Sequence, residues 1–270
     1  IEASIIIPAH GRPDLLREVL EHADRQPLES FEFIVVSDGC PAAIEVVRRM
    51  PFRHPCRLYD TGHTAGFGAA LARNIGGRFA EGDLLVFLDA DCLVGPEYVA
   101  AYRAVDDGES LLLGPIDYVS EQDHATVIEQ EVRGPLRHAP LAPSDTRQLS
   151  WLAGHAWSGN MAVPRHRFRA LGGFDLAFIG QGGEDVDLGL RYACQFRQIK
   201  VAAAPVRHVG LTSGVARCGN AGDQRFDTSR IQRRLNERSY RPGVPGLVVN
   251  GGEAYFEDAV AWSAFKELRA

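Results

Sequence analysis

An apolar run that ends in two carboxylates is the feature that most constrains the fold of this chain. Leu84 to Leu88 are five consecutive apolar residues, and Asp89 and Asp91 follow them closely. Such a run is typical of a strand buried on both faces, as in a parallel sheet covered by helices. Open α/β sheets bind their ligands at the carboxyl ends of the strands. The stretch therefore predicts a central strand with a ligand site at its end.

The two carboxylates have two interpretations. Residues two apart on extended backbone point to the same side, so Asp89 and Asp91 are expected to reach one ion. Their oxygens suit Mn²⁺ or Mg²⁺, which share their remaining coordination with substrate phosphates. The alternative is an ordinary strand that ends in a polar turn, because Asp is a common turn residue. This stretch alone leaves both interpretations open.

Strands and helices alternate along the first part of the chain, which predicts an α/β fold with a doubly wound, mostly parallel central sheet flanked by helices. At the far end, the apolar residues of 255–268 recur at helical spacing and predict an amphipathic helix. The elements predicted before that helix are strand 4–8, a helix from residue 13, strand 31–36, helix 42–50, strand 57–59, helix 65–79, strand 83–88, helix 96–105 and strand 111–114.

Composition and charge narrow the class of protein. The formal net charge of -6 argues against nucleic acid as the main partner. No apolar run approaches the ~20 residues of a membrane span. The five cysteines are scattered and show no Cys-x-x-Cys spacing, so free thiols in a reducing compartment, and a cytoplasmic location, are expected. The chain also lacks the glycine patterns of dinucleotide-binding folds and of P-loops.

A second carboxylate cluster follows two glycines at Gly182 and Gly183. Glu184 and Asp185 are expected in the first turn of a helix, where acids are favoured simply by capping and by the helix dipole. The functional interpretation is a general base beside an acceptor hydroxyl. A helix N-terminus lowers a carboxylate's pKa, which is tolerable when the proton moves late, as in displacement at an anomeric carbon. The glycines would let a sugar pass close to the backbone.

Five motifs in this order resemble those of the family-2 glycosyltransferases with the GT-A fold, and the resemblance covers residues 4–209. The Gly-Gly-Glu-Asp run is also similar to that of the beta-1,4-galactosyltransferases and polypeptide GalNAc-transferases. The motifs are Ser-Ile-Ile-Ile-Pro-Ala at 4–9, Val-Ser-Asp-Gly at 36–39, Ala-Arg-Asn at 72–74, Asp-Ala-Asp at 89–91 and Gly-Gly-Glu-Asp-Val-Asp-Leu at 182–188.

The resemblance implies a domain organisation. Residues 1–115 would form the nucleotide-sugar-binding half of a GT-A domain, and 116–210 its acceptor-binding and catalytic half. Residues 211–270 would add an acceptor-side extension with an Arg-rich loop and the C-terminal helix. Many family members that extend polysaccharides carry Gln-x-x-Arg-Trp after the Glu-Asp pair. That motif is absent here, so a processive synthase is not expected.

Site roles follow from the resemblance position by position. Asp185 would be the general base of an inverting transfer and Glu184 would bind acceptor hydroxyls. Asp91 would ligate the metal, and a later His completes the metal shell in the relatives, for which His208 is the match. A lone His at a strand end is more often structural.

The resemblance also implies a nucleotide site and a sugar pocket. Nucleotide binding would use Pro8, Ala9, Asp38 on the base, Arg73 near the diphosphate, Ala90, and Asp89 on the ribose or the metal. Trp157, Asn160 and Gly183 are candidates for the acceptor and sugar pocket, although Trp157 also fits core packing.

The predicted function is metal-dependent transfer of a hexosyl or N-acetylhexosaminyl group from a nucleoside diphosphate sugar, UDP-linked by expectation, to a saccharide, peptide or small-molecule acceptor. The cofactor would be Mn²⁺ or Mg²⁺. One alternative is a domain that binds a sugar nucleotide without turning it over. The other is a nucleotidyltransferase that makes sugar nucleotides, but such enzymes open with a Gly-rich loop carrying Arg and Lys, of which Ala9-His-Gly-Arg12 is a poor version.

Overall fold

The computed structural model describes residues 1–27, 30–62, 68–119, 134–178 and 182–209, together with the backbone of 266–268. Strands and helices alternate along it as predicted. In chain order they are β1 (Ala3–Ala9), α1 (Pro13–Ala23), β2 (Phe31–Ser37), α2 (Pro41–Arg49), β3 (Cys56–Asp60), α3 (Ala69–Phe79), β4 (Leu84–Leu88), β5 (Cys92–Val94), α4 (Tyr98–Arg103), β6 (Leu111–Leu113), β7 (Ile116–Val119), a 3-10 helix (Pro135–His138), α5 (Thr146–Ala153), β8 (Asn160–Pro164), α6 (Arg165–Ala170), α7 (Glu184–Gln195), β9 (Ile199–Val201), β10 (Val206–Val209) and β11 (Lys266–Leu268).

A mixed sheet of eight strands forms the centre, in the order β11-β3-β2-β1-β4-β8-β6-β9. Strands β3, β2, β1 and β4 are parallel to their neighbours within that set, and β6 is parallel to β9. Strand β8 runs antiparallel to both β4 and β6, and β11 runs antiparallel to β3. The predicted α/β class with a mostly parallel sheet is confirmed.

The apolar run Leu84 to Leu88 is strand β4, and all five residues are buried. Because side chains alternate across a strand, Val86 and Leu88 pack into the core on one face of the sheet while Leu85 and Phe87 pack into the core on the other. Helices α1, α2 and α4 cover the first face, and α3, α5, α6 and α7 cover the second. Both faces are therefore covered by helices, as the continuous run predicted.

Pro8, near the end of β1, has no backbone N–H to donate to a neighbouring strand. The pairing of β1 with β4 ends at Ile6, whereas pairing with β2 continues through Pro8 and Ala9. A proline in a sheet is tolerated at positions where one of the two neighbouring strands no longer pairs with it. Strands β1 and β4 are therefore not paired with each other at their carboxyl ends, next to the turn that carries Asp89.

A second, three-stranded sheet with the order β5-β10-β7 was not anticipated from the sequence. His208 lies inside β10, opposite Cys92 of antiparallel β5 and opposite Tyr118 of parallel β7. The backbone N–H of Val209 donates to the carbonyl of Asp91 at 2.8 Å. This small sheet holds His208 beside the turn that follows β4.

The C-terminal helix prediction is wrong where it can be compared with the structure. Lys266–Leu268 form strand β11, which pairs antiparallel with β3, Leu268 opposite Leu58. Backbone pairing to an edge strand satisfies groups that would otherwise lack partners, and this overrides the helical spacing. Residues 255–265 and the Arg-rich segment 217–241 lie outside the described residues. Among the helices that are described, none has the length and apolar character needed to cross a membrane.

Candidate functional site

The carboxyl ends of β1, β2 and β3 form one side of the site. The backbone N–H of Asp38 donates to the carbonyl of Ala9 at 2.9 Å. The Asp38 carboxylate is buried and accepts hydrogen bonds from Thr61 Oγ1 at 3.0 Å and from the backbone N–H of Gly68 at 2.6 Å. Asp38 thus ties the ends of three strands to the start of α3. Its predicted contact with a nucleobase stays a prediction.

Arg73 connects the two carboxylate clusters that the sequence separates. Its guanidinium, on α3, donates to Glu184 Oε1 at 2.9 Å and to Asp89 Oδ1 at 2.8 Å, although Arg73 and Glu184 are 111 residues apart. Burial by itself would lower the pKa of Arg73, but the neighbouring charges of Asp89 and Glu184 raise it above its ordinary value. The guanidinium is therefore charged and holds both carboxylates at one place.

Both terminal nitrogens of Arg73 donate to carboxylates, and its predicted place near the diphosphate stays a prediction. The side chain is 5% exposed. The arrangement leaves polar atoms without partners: Glu184 Oε2 and Arg73 Nε are buried and have no hydrogen bond among the described residues. Buried polar atoms are ordinarily paired, and exceptions mark strained or functional places. Glu184 Oε2 is an acceptor that a bound ligand would satisfy.

Asp89 and Asp91 have different partners in the structure, and the backbone that joins them is not extended. Strand β4 ends at Leu88, and the chain turns so that the Cys92 N–H donates to the Asp89 carbonyl at 3.1 Å. A turn breaks the two-residue periodicity of a strand. Asp89 faces Arg73, whereas Asp91 faces His208, with Asp91 Oδ1 and His208 Nε2 3.5 Å apart. Ala90, between them, is half-buried.

One group of described side chains has the geometry of a metal site. Donor atoms of Asp91, Cys92 and His208 all lie within 4.8 Å of one another. His208 Nδ1 is buried and has no hydrogen-bond partner among the described residues. Carboxylate oxygen and imidazole nitrogen together suit Mn²⁺ better than Mg²⁺, which prefers oxygen ligands. The residues present fit a divalent cation. Asp89 does not join this group.

Asp185 opens helix α7 beside Glu184. Its Oδ2 accepts from the backbone N–H of Ser158 at 3.2 Å and from Ser158 Oγ at 3.5 Å, and its Oδ1 accepts from the N–H of Val186. Burial, followed by the charge of Glu184, raises the pKa of Asp185 to about 7, although Arg73 and these N–H donors act in the opposite direction. The sequence argument expected the helix N-terminus to lower this pKa. Desolvation and the adjacent carboxylate are the larger effects.

Gly183 is required for backbone conformation. Gly182 and Gly183 have φ angles of 94° and 99°, which residues with a Cβ rarely adopt. They turn the chain into α7 so that both acids face Arg73 and Ser158. Close approach of a sugar to this backbone stays a prediction.

Asn160 is hydrogen-bonded within the protein through its whole amide group, and its predicted place in a sugar pocket stays a prediction. It is buried, and its amide oxygen accepts from the hydroxyls of Tyr98 and Tyr102 at 3.0 and 2.7 Å. Its amide nitrogen donates to the carbonyls of Pro115 and Ala204 at 2.9 and 2.8 Å. These four bonds use the hydrogen-bonding capacity of the amide. Asn160 therefore joins β8 to the segments around the small sheet.

Trp157 is half-buried. It lies close to the predicted base in the chain fold, since the next residue, Ser158, contacts Asp185. Two contributors to the site, Ser158 and Cys92, were not predicted from the sequence. Cys92 directly follows the Asp-x-Asp pair, so its position was a usable signal. Ser158 carries no signal in the sequence, since only the folding of α7 against this loop reveals its contact.

Comparison with known proteins identifies the family. The model of "Glycosyl transferase family 2" matches residues 4–172, and the model described as "N-terminal domain of galactosyltransferase" matches residues 152–210. Among curated proteins, a validoxylamine A glucosyltransferase of Streptomyces hygroscopicus subsp. jinggangensis is 33% identical over 215 residues, which is 70% of this chain and 50% of that protein. The chain thus spans about half the length of this relative.

Solved structures share the fold. S. aureus TarS 1-349 in complex with UDP-GlcNAc matches with a TM-score of 0.63 and 15% identity, covering 97% of this chain and 71% of that one. GalNAc-T7 with UDP, GalNAc and Mn²⁺ matches with a TM-score of 0.61 and 17% identity, covering 88% of this chain and 49% of that one. At this identity the likeness shows the fold alone, which is the GT-A glycosyltransferase fold predicted from the motifs.

Proposed function

This chain belongs to glycosyl transferase family 2, and we propose that it transfers a hexosyl or N-acetylhexosaminyl group from a UDP-sugar to a saccharide acceptor with inversion. The observation that carries the proposal is the contact of Arg73 with both Asp89 and Glu184. It joins the end of β4, where a nucleotide-bound donor is expected, to the first turn of α7, which supplies the base. The named relative is a glucosyltransferase, and one structural neighbour holds UDP-GlcNAc.

Asp185 is the proposed general base. Its raised pKa of about 7 suits proton removal at neutral pH, because a base acts best when its pKa lies near the working pH. Asp185 takes the proton of an acceptor hydroxyl while that oxygen bonds to the anomeric carbon and the bond from this carbon to the diphosphate oxygen breaks. Ser158 orients the carboxylate through Oδ2, and Glu184 Oε2 is left to accept a hydrogen bond from an acceptor hydroxyl.

Asp91 and His208 are the proposed ligands of a divalent cation, with Cys92 beside them. When bound there, the cation would neutralise charge that accumulates on the departing diphosphate. His208 is oriented for this role by its strand, which is paired with β5 and β7, and by the ring of Tyr118, whose centroid lies 5.4 Å from its own. The imidazole ligand favours Mn²⁺ over Mg²⁺.

Calorimetric titration of UDP and of GDP, each with and without Mn²⁺, tests the donor site. We expect UDP to bind in a Mn²⁺-dependent manner and Asp91→Ala to weaken that binding at least tenfold. The matched control is Asp83→Ala, which removes an 85% exposed aspartate side chain directly before β4 rather than after it. Mn²⁺-independent binding, or equal effects of the two variants, would contradict the metal assignment.

Turnover is then measured with UDP-glucose and UDP-N-acetylglucosamine, by release of UDP with and without saccharide acceptors. We expect slow hydrolysis of one donor and faster release with an acceptor present. UDP binding without any turnover would mean a binding domain. Release of pyrophosphate from UTP and a sugar 1-phosphate, in a parallel assay, would mean a nucleotidyltransferase. No binding of either nucleotide would refute the proposed function.

A further inference from the structure

Three aromatic rings lie next to one another on the α5 side of the site, with tilts of 38° and 49° between successive ring planes. The ring centroids of Trp151 and His155 are 4.3 Å apart, and those of His155 and Trp157 are 5.3 Å apart. Trp151 is 41% exposed, which is unusual for a large apolar side chain among the described residues. We refer to Trp151, His155 and Trp157 as the aromatic ladder. It extends from the residue next to Ser158 out to the surface of α5.

The segment that carries the ladder packs closely against α7, the helix that carries the proposed base. Gly189 of α7 lies so close to the segment below the ladder that an added Cβ would be 2.4 Å from Ala156 Cβ and 2.5 Å from the Ala153 carbonyl oxygen. Helix α7 begins with Glu184 and Asp185. Close packing of backbone against backbone fixes the ladder relative to Asp185, so a ligand held on the ladder is held in a defined position relative to the base.

The central ring of the ladder also offers a hydrogen-bonding group. His155 Nδ1 lies 2.7 Å from the Trp151 carbonyl oxygen. Because a carbonyl only accepts, Nδ1 carries the proton, and in the neutral ring Nε2 is then an acceptor. A hydroxyl next to the rings is a suitable donor to it. The ladder thus combines aromatic faces with a polar acceptor.

Saccharides have the matching chemistry. A sugar ring presents C–H bonds on its face, which pack against the negative face of an aromatic ring, and hydroxyls at its edge. Pockets that recognise such ligands combine aromatic walls with a few polar groups. We propose that the aromatic ladder is an outer acceptor subsite, so that the acceptor is a saccharide or glycoside of at least two rings. One ring lies at Asp185 beside Trp157, and the next lies along His155 and Trp151. This inference rests on the proposed function.

Fluorine NMR of protein labelled with 5-fluorotryptophan tests the proposal. The chain has three tryptophans, Trp151, Trp157 and Trp262, and single Trp→Phe variants assign the three signals. The probes are glucose, N-acetylglucosamine, maltose, cellobiose, lactose and N,N′-diacetylchitobiose with their trisaccharides, added in the presence of UDP and Mn²⁺. We expect at least one di- or trisaccharide to shift the Trp151 and Trp157 signals together and in a saturable way.

The variant Trp151→Ala separates the outer subsite from the rest of the site. We expect it to weaken binding of that longer saccharide about three- to tenfold, and to leave binding of the monosaccharide and hydrolysis of the UDP-sugar unchanged. Leu141→Ala, which removes another exposed apolar side chain, is the matched control and should change none of these.

Three results would overturn the outer subsite: a saccharide that shifts the Trp157 signal alone, equal affinities of wild type and Trp151→Ala, or no saccharide binding in a protein that hydrolyses a UDP-sugar. The first two results would leave the proposed function standing, and the third would also exclude a saccharide as its acceptor. Failure of the wild type to bind UDP or hydrolyse any UDP-sugar would instead refute the proposed function itself, so the two failures are distinguishable.

Discussion

Two clusters each pair a buried arginine with a carboxylate from the first turn of α7, and they differ in how completely they are hydrogen-bonded. In the closed cluster, Arg191 donates Nε to Asp187, one terminal nitrogen to the Leu171 carbonyl and the other to the Gly173 carbonyl. In the open cluster, formed by Arg73, Asp89 and Glu184, Arg73 Nε and Glu184 Oε2 have no partner among the described residues. The closed cluster completes its own bonding, as a structural element does.

The difference shows which of the two clusters has buried polar atoms without hydrogen bonds among the described residues. A buried charge costs free energy unless it is paired and hydrogen-bonded. The closed cluster meets that requirement and locks α7 to the loop before it. The open cluster meets it only in part, in the place where acids from β4 and α7 converge. Incomplete bonding of this kind is expected where a ligand completes it, so the two clusters should respond differently to substitution.

Asp185 adjoins the open cluster, and its loss should have the largest effect on activity. Asp185→Asn removes the proposed base but keeps the shape of the side chain, so kcat should fall by about 10²- to 10⁴-fold while UDP affinity stays the same. Turnover and calorimetry measure the two quantities. The control is Asp145→Asn, at the start of α5, where the side chain accepts from the Gln148 N–H and asparagine caps equally well. Near-normal turnover of Asp185→Asn would remove Asp185 from the mechanism.

Loss of Arg191 from the closed cluster should reduce stability more than loss of Arg73 from the open cluster. Arg191→Met leaves Asp187 buried without its cation and two carbonyls without donors, so the free energy of unfolding should fall by about 3–5 kcal/mol. Arg73→Met should cost less, because the Asp89 side chain is 33% exposed and water can solvate it. Denaturant unfolding without nucleotide measures both. Equal losses would show that the open cluster is as structural as the closed one.

Glu184→Gln should sharpen the comparison through pH. The substitution keeps an acceptor for Arg73 but removes the charge that contributes to the raised pKa of Asp185. The pKa of Asp185 should therefore fall. In wild type, kcat/KM should rise with pH, reach half its maximum near pH 7 and level off above it. In Glu184→Gln the rise should occur at lower pH. Glu45→Gln, at an exposed position of α2, should leave the profile unchanged. An unshifted profile would contradict the assignment of Asp185 as the titrating base.

The last expected effect is on stability as a function of pH. The pKa of Asp185 is higher in the folded protein, about 7, than its ordinary value of 3.8. Between these values the folded state binds more protons than the unfolded state, so the contribution of Asp185 to stability decreases as pH rises. The free energy of unfolding of wild type minus that of Asp185→Asn should decline from pH 4 to pH 7. A rising difference would mean that the pKa is lowered instead.

Much of the fold was predictable because local patterns carried it. The five-residue apolar run of β4, the strand and helix alternation through residue 114 and the acids at the start of α7 all follow from burial and periodicity. The C-terminal strand was mispredicted, since its pairing with β3 is a long-range hydrogen-bonding effect. The small sheet that holds His208 was missed for the same reason.

Predictions for the site divide in the same way. The sequence identified the acids and the histidine as chemically competent groups, but the partners of each depended on distant segments. Asn160 illustrates this. The family resemblance made it a candidate for the sugar pocket, and only the structure shows that four hydrogen bonds join it to separate segments. Arg73 illustrates it too, since its two carboxylate partners lie in different parts of the chain.

The sequence by itself determined the α/β class, the family and the order of the two acidic clusters, because motifs and apolar periodicity are local properties of the chain. Only the tertiary structure decided that Asp89 turns to Arg73 while Asp91 turns to His208, and that the pKa of Asp185 is raised. Side-chain partners, desolvation and the proximity of charges depend on which distant segments pack together. No window of sequence contains that information.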